Sequence, residues 1–361
     1  MPDAPANDAV TNGNPVLIEV TRGALVESRH RGAVAVADAA GHCVLALGQV
    51  ERPVFPRSAV KLLQAIPLVE SGAAAAFGLG DDELAIACAS HSGDAIHVAA
   101  ARSLLRKAGV DETLLACGAH WPLSEDAARE LLRTGGVPLP IHNNCSGKHA
   151  GMLAMALHLG LRPQGYEGPD HPVQIEIASV ISELCGVQLP AEQIGIDGCS
   201  VPTYALPLAA LATGFARLGT PAGHAAPRRQ AARRLMQACF AAPVLVAVQG
   251  RFDTVVLSGL APAAFVKGGA EGVHCVALPE LGLGIALKID DGAKRGAEAV
   301  MAHLLAALMP KARAVLAEPL AGELRSWRGQ KVGGVRAGTA LEEALAALTG
   351  RHLLAANRMH R

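Results

Sequence analysis

The chain is short of several things, and each shortage excludes a class of function. Aromatic residues are only 3% of the 361 residues, too few for a surface on which nucleobases stack. Charge of one sign is not in excess, because Lys+Arg and Asp+Glu stand at 32 each, so no broad basic field for nucleic acid or an anionic membrane is expected. There is no C-x-x-C pair: the eight cysteines fall singly at 43, 88, 117, 145, 185, 199, 239 and 275, a pattern of reduced cytosolic thiols rather than of a secreted disulfide scaffold. No uninterrupted apolar run approaches the roughly 18 residues of a membrane span. The opening segment MPDAPANDAVTNGNP has neither a basic n-region nor an apolar h-region. It reads as a disordered tail over residues 1–15 rather than as a signal peptide. A soluble, cytoplasmic protein is expected, with no nucleic-acid or membrane partner.

What is present is a large apolar content, 51%, carried mainly by alanine and leucine, enough for one or two domains. VLIEVTRGALVESRH and GAVAVADAAGHCVLALGQV are β-rich, with Asp38-Ala39-Ala40-Gly41 a plausible hairpin turn. From SAVKLLQAI to about residue 245 the periodicity is helical, with Ser92 and Ser124 as candidate N-caps and Gly109 as a stop. Short β-like runs return in DTVVLSGLAPAAFVKGGAEGVHCVALPELGLGIALKIDDG, and the helix AKRGAEAVMAHLLAALM follows. The expected architecture is α+β. Strands from both ends of the chain (about 16–57 and 246–361) form one mixed sheet, with a helical part (about 58–245) inserted between them and the active cleft where the two parts meet.

Ser58 and Lys61 in RSAVKLLQA stand three residues apart at a probable helix start. Positions i and i+3 share a helix face, so the lysine nitrogen can approach the hydroxyl. A serine needs a base, and lysine serves when burial and neighbouring positive charge lower its pKa. By themselves the two residues read more readily as a helix N-cap and a surface lysine. S-x-x-K is also the nucleophile motif of class A β-lactamases and penicillin-binding proteins, in which a second serine motif and a late Lys-Gly strand follow. CASHSGD supplies Ser90 and Ser92, and FVKGGAEG supplies Lys267, in that order.

Taken together, RSAVKLLQA, CASHSGD, HNNCSGKHAGML, DGCSVP and VKGGAEG, with KIDDGAKRG behind them, resemble the asparaginase II family, the Rhizobium-type L-asparaginases, from about residue 16 to 355. The resemblance implies hydrolysis of L-asparagine to L-aspartate and ammonia, a fold like that of serine β-lactamases and glutaminases, and a homodimer. It implies that Ser58 with Lys61 is the first Ser-Lys tandem, Ser58 being the nucleophile, and Ser90 with Lys267 the second. It places Cys145, Lys148 and Cys199 around a zinc ion, with the acid Asp197 beside that lysine. One departure is Ser200 in DGCSVP, where the family commonly has glycine or alanine.

Two thiolates, one further ligand and a water suit zinc, although lysine binds a metal only when deprotonated. Spacing alone does not predict this site, and a lone cysteine is usually a small buried hydrophobe. The other six cysteines lie in apolar runs and read as core. A zwitterionic substrate needs a cation for its α-carboxylate, for which Arg57 is the candidate, and an acid for its α-ammonium, for which Glu271 is the candidate. His91, Asn144 and His149 are further candidate substrate-binding residues. Asp290 and Asp291 read as turn residues as readily as functional acids. Three other readings remain open at this stage: a β-lactamase or penicillin-binding-type hydrolase on the same Ser-Lys pair, a thiol amidase with Cys145 as nucleophile, and a non-catalytic zinc-stabilised or amino-acid-binding protein.

Overall fold

In the computed structural model the described residues are 13–220 and 223–359, with side chains described as far as residue 349. The expected tail falls mainly on residues 1–12, which lie outside the described residues. The described chain is tied down from Asn14 onward. That side chain is buried, with Nδ2 donating to Asp290 Oδ1 at 2.7 Å and Oδ1 accepting the Gln49 amide at 2.7 Å.

The strands β1 (Val16–Arg22), β2 (Leu25–Asp38) and β3 (Cys43–Leu47) come from the start of the chain. They meet β4 (Phe265–Gly268), β5 (Val273–Leu278), β6 (Leu283–Ile289), β7 (Glu323–Arg325) and β8 (Lys331–Ala337) from its end. All belong to one sheet in the order β7-β8-β1-β2-β6-β5-β4, with β3 also paired to β2. The union of N- and C-terminal strands is as the β-rich segments lead one to expect. The registered pairings are antiparallel throughout, for example Val34↔Leu287 and Val36↔Ile285. Tight turns join β1 to β2, β2 to β3, β4 to β5 and β5 to β6, and a chain that reverses in a few residues can only return antiparallel. At the β2–β3 hairpin, Asp38 N–H donates to His42 O at 3.1 Å and Gly41 takes φ 93°.

The helical layers explain why β2 does not alternate. Ala33 to Ala37 are all buried, so both faces of that stretch are covered. In the segment between β3 and β4 lie the helices α1 (Lys61–Glu70), α2 (Asp81–Ala87), α3 (Ala95–Ala108), α4 (Glu125–Arg133), α5 (Ser146–His158), α6 (Pro172–Cys185), α7 (Leu208–Gly219), α8 (Ala226–Ala241) and α9 (Phe252–Gly259). The later helices are α10 (Lys294–Leu308) and α11 (Thr339–Met359). Helix α7 lies on β6, β2 and β5, while α10 covers the opposite face, where Gly296 meets His30. The close seat of α7 depends on Gly284 in β6: a Cβ there would stand 2.0 Å from Ala212 O and 2.3 Å from Ala216 N. Helix α1 is buried from Lys61 through Leu68 and is packed by α5, α6 and α8, as a helix apolar nearly all round must be. None of the described helices is long and apolar enough to cross a membrane.

Two local expectations differ. Ser124 caps α4 by accepting the Ala127 amide, but α3 begins after Asp94 rather than after Ser92. The Ser92 carbonyl is taken by the Ser124 amide at 3.0 Å, which draws Ser92 into the interior before the helix starts. Cys43, expected in the core, is exposed at the start of β3, whereas the other seven cysteines are buried and free.

Gly284→Ala should cost about 1–3 kcal/mol of stability, since neither backbone atom it meets can move without lifting α7 from the sheet. Urea unfolding of the two proteins checks this, and an unchanged midpoint would mean that the helix is not seated as described.

Candidate active site

Where the sheet meets the helices, three separate segments converge. A 3-10 turn, Arg57–Val60, carries Ser58 immediately before α1. Ser90 follows α2, its amide bonded to Val246 O at 3.0 Å. Lys267 and Gly268 end β4, and Gly269 lies on the Ser58 turn: a Cβ at 269 would sit 2.6 Å from Pro56 O and 3.1 Å from Ala59 N, which only glycine avoids. Between them is a cavity of about 240 Å³ lined by Ser58, Ser90, Asn144, Lys267 and Glu271. Arg251, Asp253, His274, Lys294 and Glu298 add to its polar wall.

The two serine–lysine pairs are built differently. Lys267 Nζ donates to Ser90 Oγ at 3.0 Å and to Gly268 O at 2.8 Å, and stands 3.7 Å from Asp253 Oδ2. Burial pushes this lysine down to about 8, against the pull of Asp253, with Lys61 and Arg251 adding to the depression. Lys61 Nζ turns inward to the carbonyl oxygens of Ala89, at 2.5 Å, and Asn144, at 3.1 Å. No hydrogen bond joins it to Ser58 among the described residues. Its remaining partner is the Cys145 thiol, whose acidity Lys61 increases.

Beneath Ser58 lies a second cluster. Cys145 stands at the start of α5 and Lys148 in its first turn, while Cys199 is in the loop that follows Ile194–Ile196. All three are buried. Lys148 Nζ is 3.1 Å from Cys199 Sγ, and Cys199 Sγ is 3.9 Å from Asp197 Oδ2. Donation from the Cys199 thiol, helped by Lys61 and Lys148, makes Cys145 the more acidic of the two thiols, and Cys199 is pushed up correspondingly. Burial opposes the charge on Lys148, but Cys145, Cys199 and Asp197 outweigh it and raise its pKa. Among the described residues no group of three or more His, Cys, Asp or Glu side chains is arranged to hold a metal. The donor set that does converge, two thiols and an amine, fits a thiophilic ion such as zinc, with the ion's charge taking the place of the protons now shared there.

Some expected binding residues are placed elsewhere. Arg57 does not line the cavity; its Nε donates to Asp197 Oδ1 at 2.7 Å, tying the Ser58 turn to the Cys199 loop. His91 is buried between Ser146 Oγ, at 2.9 Å from Nε2, and the Gly93 amide, at 3.1 Å from Nδ1. His149 is buried against Tyr166, Nδ1 lying 2.5 Å from its hydroxyl. Burial pushes both histidines well down, with Lys61 among the charges that add to it. Neither reaches the cavity, because each belongs to the packing between helices. Asp290 and Asp291 likewise serve the fold, the first holding Asn14 and the second His30 at 2.7 Å. Sequence reasoning missed Arg251, Asp253, His274 and Lys294. The one visible signal was Asp253, an acid inside the apolar run FDTVVL.

The fold and this arrangement define an α+β protein, its sheet covered by helices on both faces, with paired serines and lysines at the junction of sheet and helices. A match to the L-asparaginase II family runs over residues 18–337, nearly the whole chain. The chain belongs to the L-asparaginase II family and is an amidohydrolase. No curated protein matches it. Two solved structures resemble it remotely. One is Mglu in its native form at 4.3 M NaCl: 16% identity, 84% of this chain and 65% of that chain covered, TM-score 0.39. The other is a simvastatin synthase mutant from Aspergillus terreus: 13% identity, 72% of this chain and 86% of that chain covered, TM-score 0.37. The chain thus spans slightly less than two thirds of Mglu, and at these TM-scores neither likeness carries an argument about this protein.

Ser200, where the resemblance leads one to expect glycine or alanine, adopts φ 76°. That left-handed geometry disfavours a side chain, most of all a β-branched one. Ser200→Gly should therefore be neutral or stabilising by up to about 1 kcal/mol, and Ser200→Val destabilising by at least about 1 kcal/mol. Thermal unfolding of the pair decides it, and a Val variant as stable as the parent would contradict the loop geometry.

Proposed function

We propose that this protein is an L-asparaginase that hydrolyses L-asparagine to L-aspartate and ammonia through an acyl-enzyme on Ser58. The observation that carries the reading is the cavity itself. Ser58 and the Ser90–Lys267 pair face a space of about 240 Å³ whose wall bears both cations, Arg251 and Lys294, and acids, Glu271 and Glu298. A wall of both signs suits a zwitterion, and the space is smaller than the roughly 300–1,000 Å³ that drug-sized ligands occupy. Arg251 or Lys294 takes the α-carboxylate in this scheme, in place of Arg57, and Glu271 meets the α-ammonium.

The chemistry follows from the side chains. Lys61, as the neutral amine, takes the Ser58 proton on Nζ. Ser58 Oγ then bonds to the side-chain amide carbon. The carbon–nitrogen bond breaks as the nitrogen takes that proton, and ammonia leaves. Water next attacks the β-aspartyl ester, its proton passes to Lys61, the carbon–Ser58 bond breaks, and Ser58 recovers a proton. The Ser90–Lys267 pair passes protons between the cavity and this centre.

Cys145, Cys199 and Lys148 are the residues that would hold zinc, with Asp197 beside them. A bound zinc ion supplies positive charge and Lewis acidity next to the Ser58 turn. The Arg57–Asp197 pair transmits the position of that cluster to Ser58, so we assign the cluster an orienting role. A homodimer, implied by the family resemblance, and a cytoplasmic location, expected from the scattered reduced cysteines, belong to the same proposal.

Ser58→Ala, still folded by circular dichroism, should lose asparagine hydrolysis by at least about a thousandfold in an ammonia-release assay. Normal turnover would overturn the scheme, and turnover of nitrocefin without ammonia release would favour the lactamase-type reading. Removing zinc with a chelator should raise KM for asparagine more than it lowers kcat. An unchanged KM in metal-free protein would contradict the orienting role.

A further inference from the structure

Asp253 takes part in no step above, yet three groups converge on its buried carboxylate. Oδ1 accepts from His274 Nε2 at 2.8 Å, Oδ2 accepts the Gly268 amide at 2.9 Å, and Lys267 Nζ stands 3.7 Å from Oδ2. Burial works against the charge, but His274, Lys267 and the Gly268 amide hold the carboxyl far below the usual range. With Nε2 committed as the donor, His274 Nδ1 is left buried without a partner among the described residues. The room for this contact exists because residue 268 is glycine: a Cβ there would lie 2.7 Å from His274 Nε2 and 3.3 Å from Asp253 Oδ1. Acid, imidazole and strand end are therefore fitted to one another, and the lysine they support is the one whose Nζ donates to Ser90 at 3.0 Å.

We propose that Asp253, braced by His274 and the Gly268 amide, is the positioning residue of the second serine–lysine pair, aiming Lys267 at Ser90 and holding its charge there. The inference rests on the reading of that pair as part of the hydrolytic site. Its two hydrogen-bond acceptors, Ser90 Oγ and Gly268 O, are neutral, so neither balances the charge of the buried ammonium. Lys61 from α1 and Arg251 from the segment before α9 repel it, while Asp253 and, more weakly, Cys145 attract it. Asp253 is the acid that keeps Lys267 from losing its proton still more readily. Removing the carboxylate charge must lower the pH at which Lys267 deprotonates and must loosen its aim.

Asp253→Asn in the full-length protein is the test, read in two ways. The first follows the Lys267 ε-carbon by NMR in lysine-labelled protein, assigned by its loss in Lys267→Arg. The Lys267 midpoint, near 8 in the parent, should fall by at least about one unit. The second follows asparagine hydrolysis: kcat should fall by about ten- to a hundredfold with KM little changed, and any limb of the pH profile that belongs to Lys267 should move to lower pH. Asp253→Glu, which keeps the charge, should leave the midpoint within about half a unit of the parent, well short of the effect of losing the charge. An unmoved Lys267 midpoint in folded Asp253→Asn overturns the proposal. If that variant does not fold, Asp253→Ser, uncharged and smaller, is read in the same way. Should the parent protein fail to hydrolyse asparagine, the functional reading falls, while the NMR titration still decides what Asp253 does to Lys267.

Discussion

Three lysines are buried in one small region, and accommodating their nitrogens is the constraint from which the rest of the site follows. Lys61, Lys148 and Lys267 are 0%, 3% and 1% exposed. An unpaired ammonium in such surroundings is prohibitively costly, so each must find partners inside the protein. Each finds a different kind. Lys61 takes two main-chain carbonyls, Lys148 takes two cysteines and an aspartate, and Lys267 takes a serine, a carbonyl and the more distant Asp253. The carbonyls of Lys61 come from the loops before α3 and α5 and that of Lys267 from the end of β4, the thiols from the start of α5 and the loop after Ile194–Ile196, and the carboxylates from that same loop and from α9. Holding all of them in register requires the sheet and the helices to be locked together at this junction.

The backbone carries the cost of that convergence. Three non-glycine residues among those described have positive φ: Arg57 at 51°, Ser200 at 76° and Glu271 at 59°. Each flanks the site. Arg57 adjoins Ser58, Ser200 adjoins Cys199, and Glu271 lines the cavity. Residues held in sparsely populated conformations persist only where surrounding structure over-determines them. Here the Arg57–Asp197 ion pair supplies one such restraint, and the seat of Gly269 against the Ser58 turn supplies another. Under the proposed role of Ser58 such rigidity serves catalysis, because a nucleophile displaced by an ångström loses much of its rate.

The two serine–lysine pairs show how weak a guide sequence proximity can be. Ser58 and Lys61 are neighbours on one helical turn, yet no hydrogen bond joins them among the described residues. Ser90 and Lys267 are 177 residues apart and are directly bonded. The difference lies in what surrounds each nitrogen. Two carbonyls reach Lys61 from inside the helical layer, whereas Lys267 emerges at a strand end facing the Ser90 loop with Asp253 behind it.

Much was legible in the chain itself because it depends on local chemistry. The alternation and turns near both ends define strands. The long Ala/Leu periodicities define helices, and the hairpin at Asp38–Gly41 forms where the turn residues place it. The resemblance of the motifs to a known family brought Ser58, Ser90, Lys267, Cys145, Lys148 and Cys199 forward as a set, although spacing alone pointed only to Ser58 with Lys61, and the fold does gather them into one region. The sequence could not show which charged groups face the substrate cavity. Arg57 is spent on Asp197, His91 and His149 are spent on helix packing, and Arg251, Asp253 and Lys294 occupy the wall instead. Residue type and spacing determine what a side chain can do. Whether its partner is a substrate or another part of the protein depends on which distant segments surround it, and only the closing of sheet onto helices decides that.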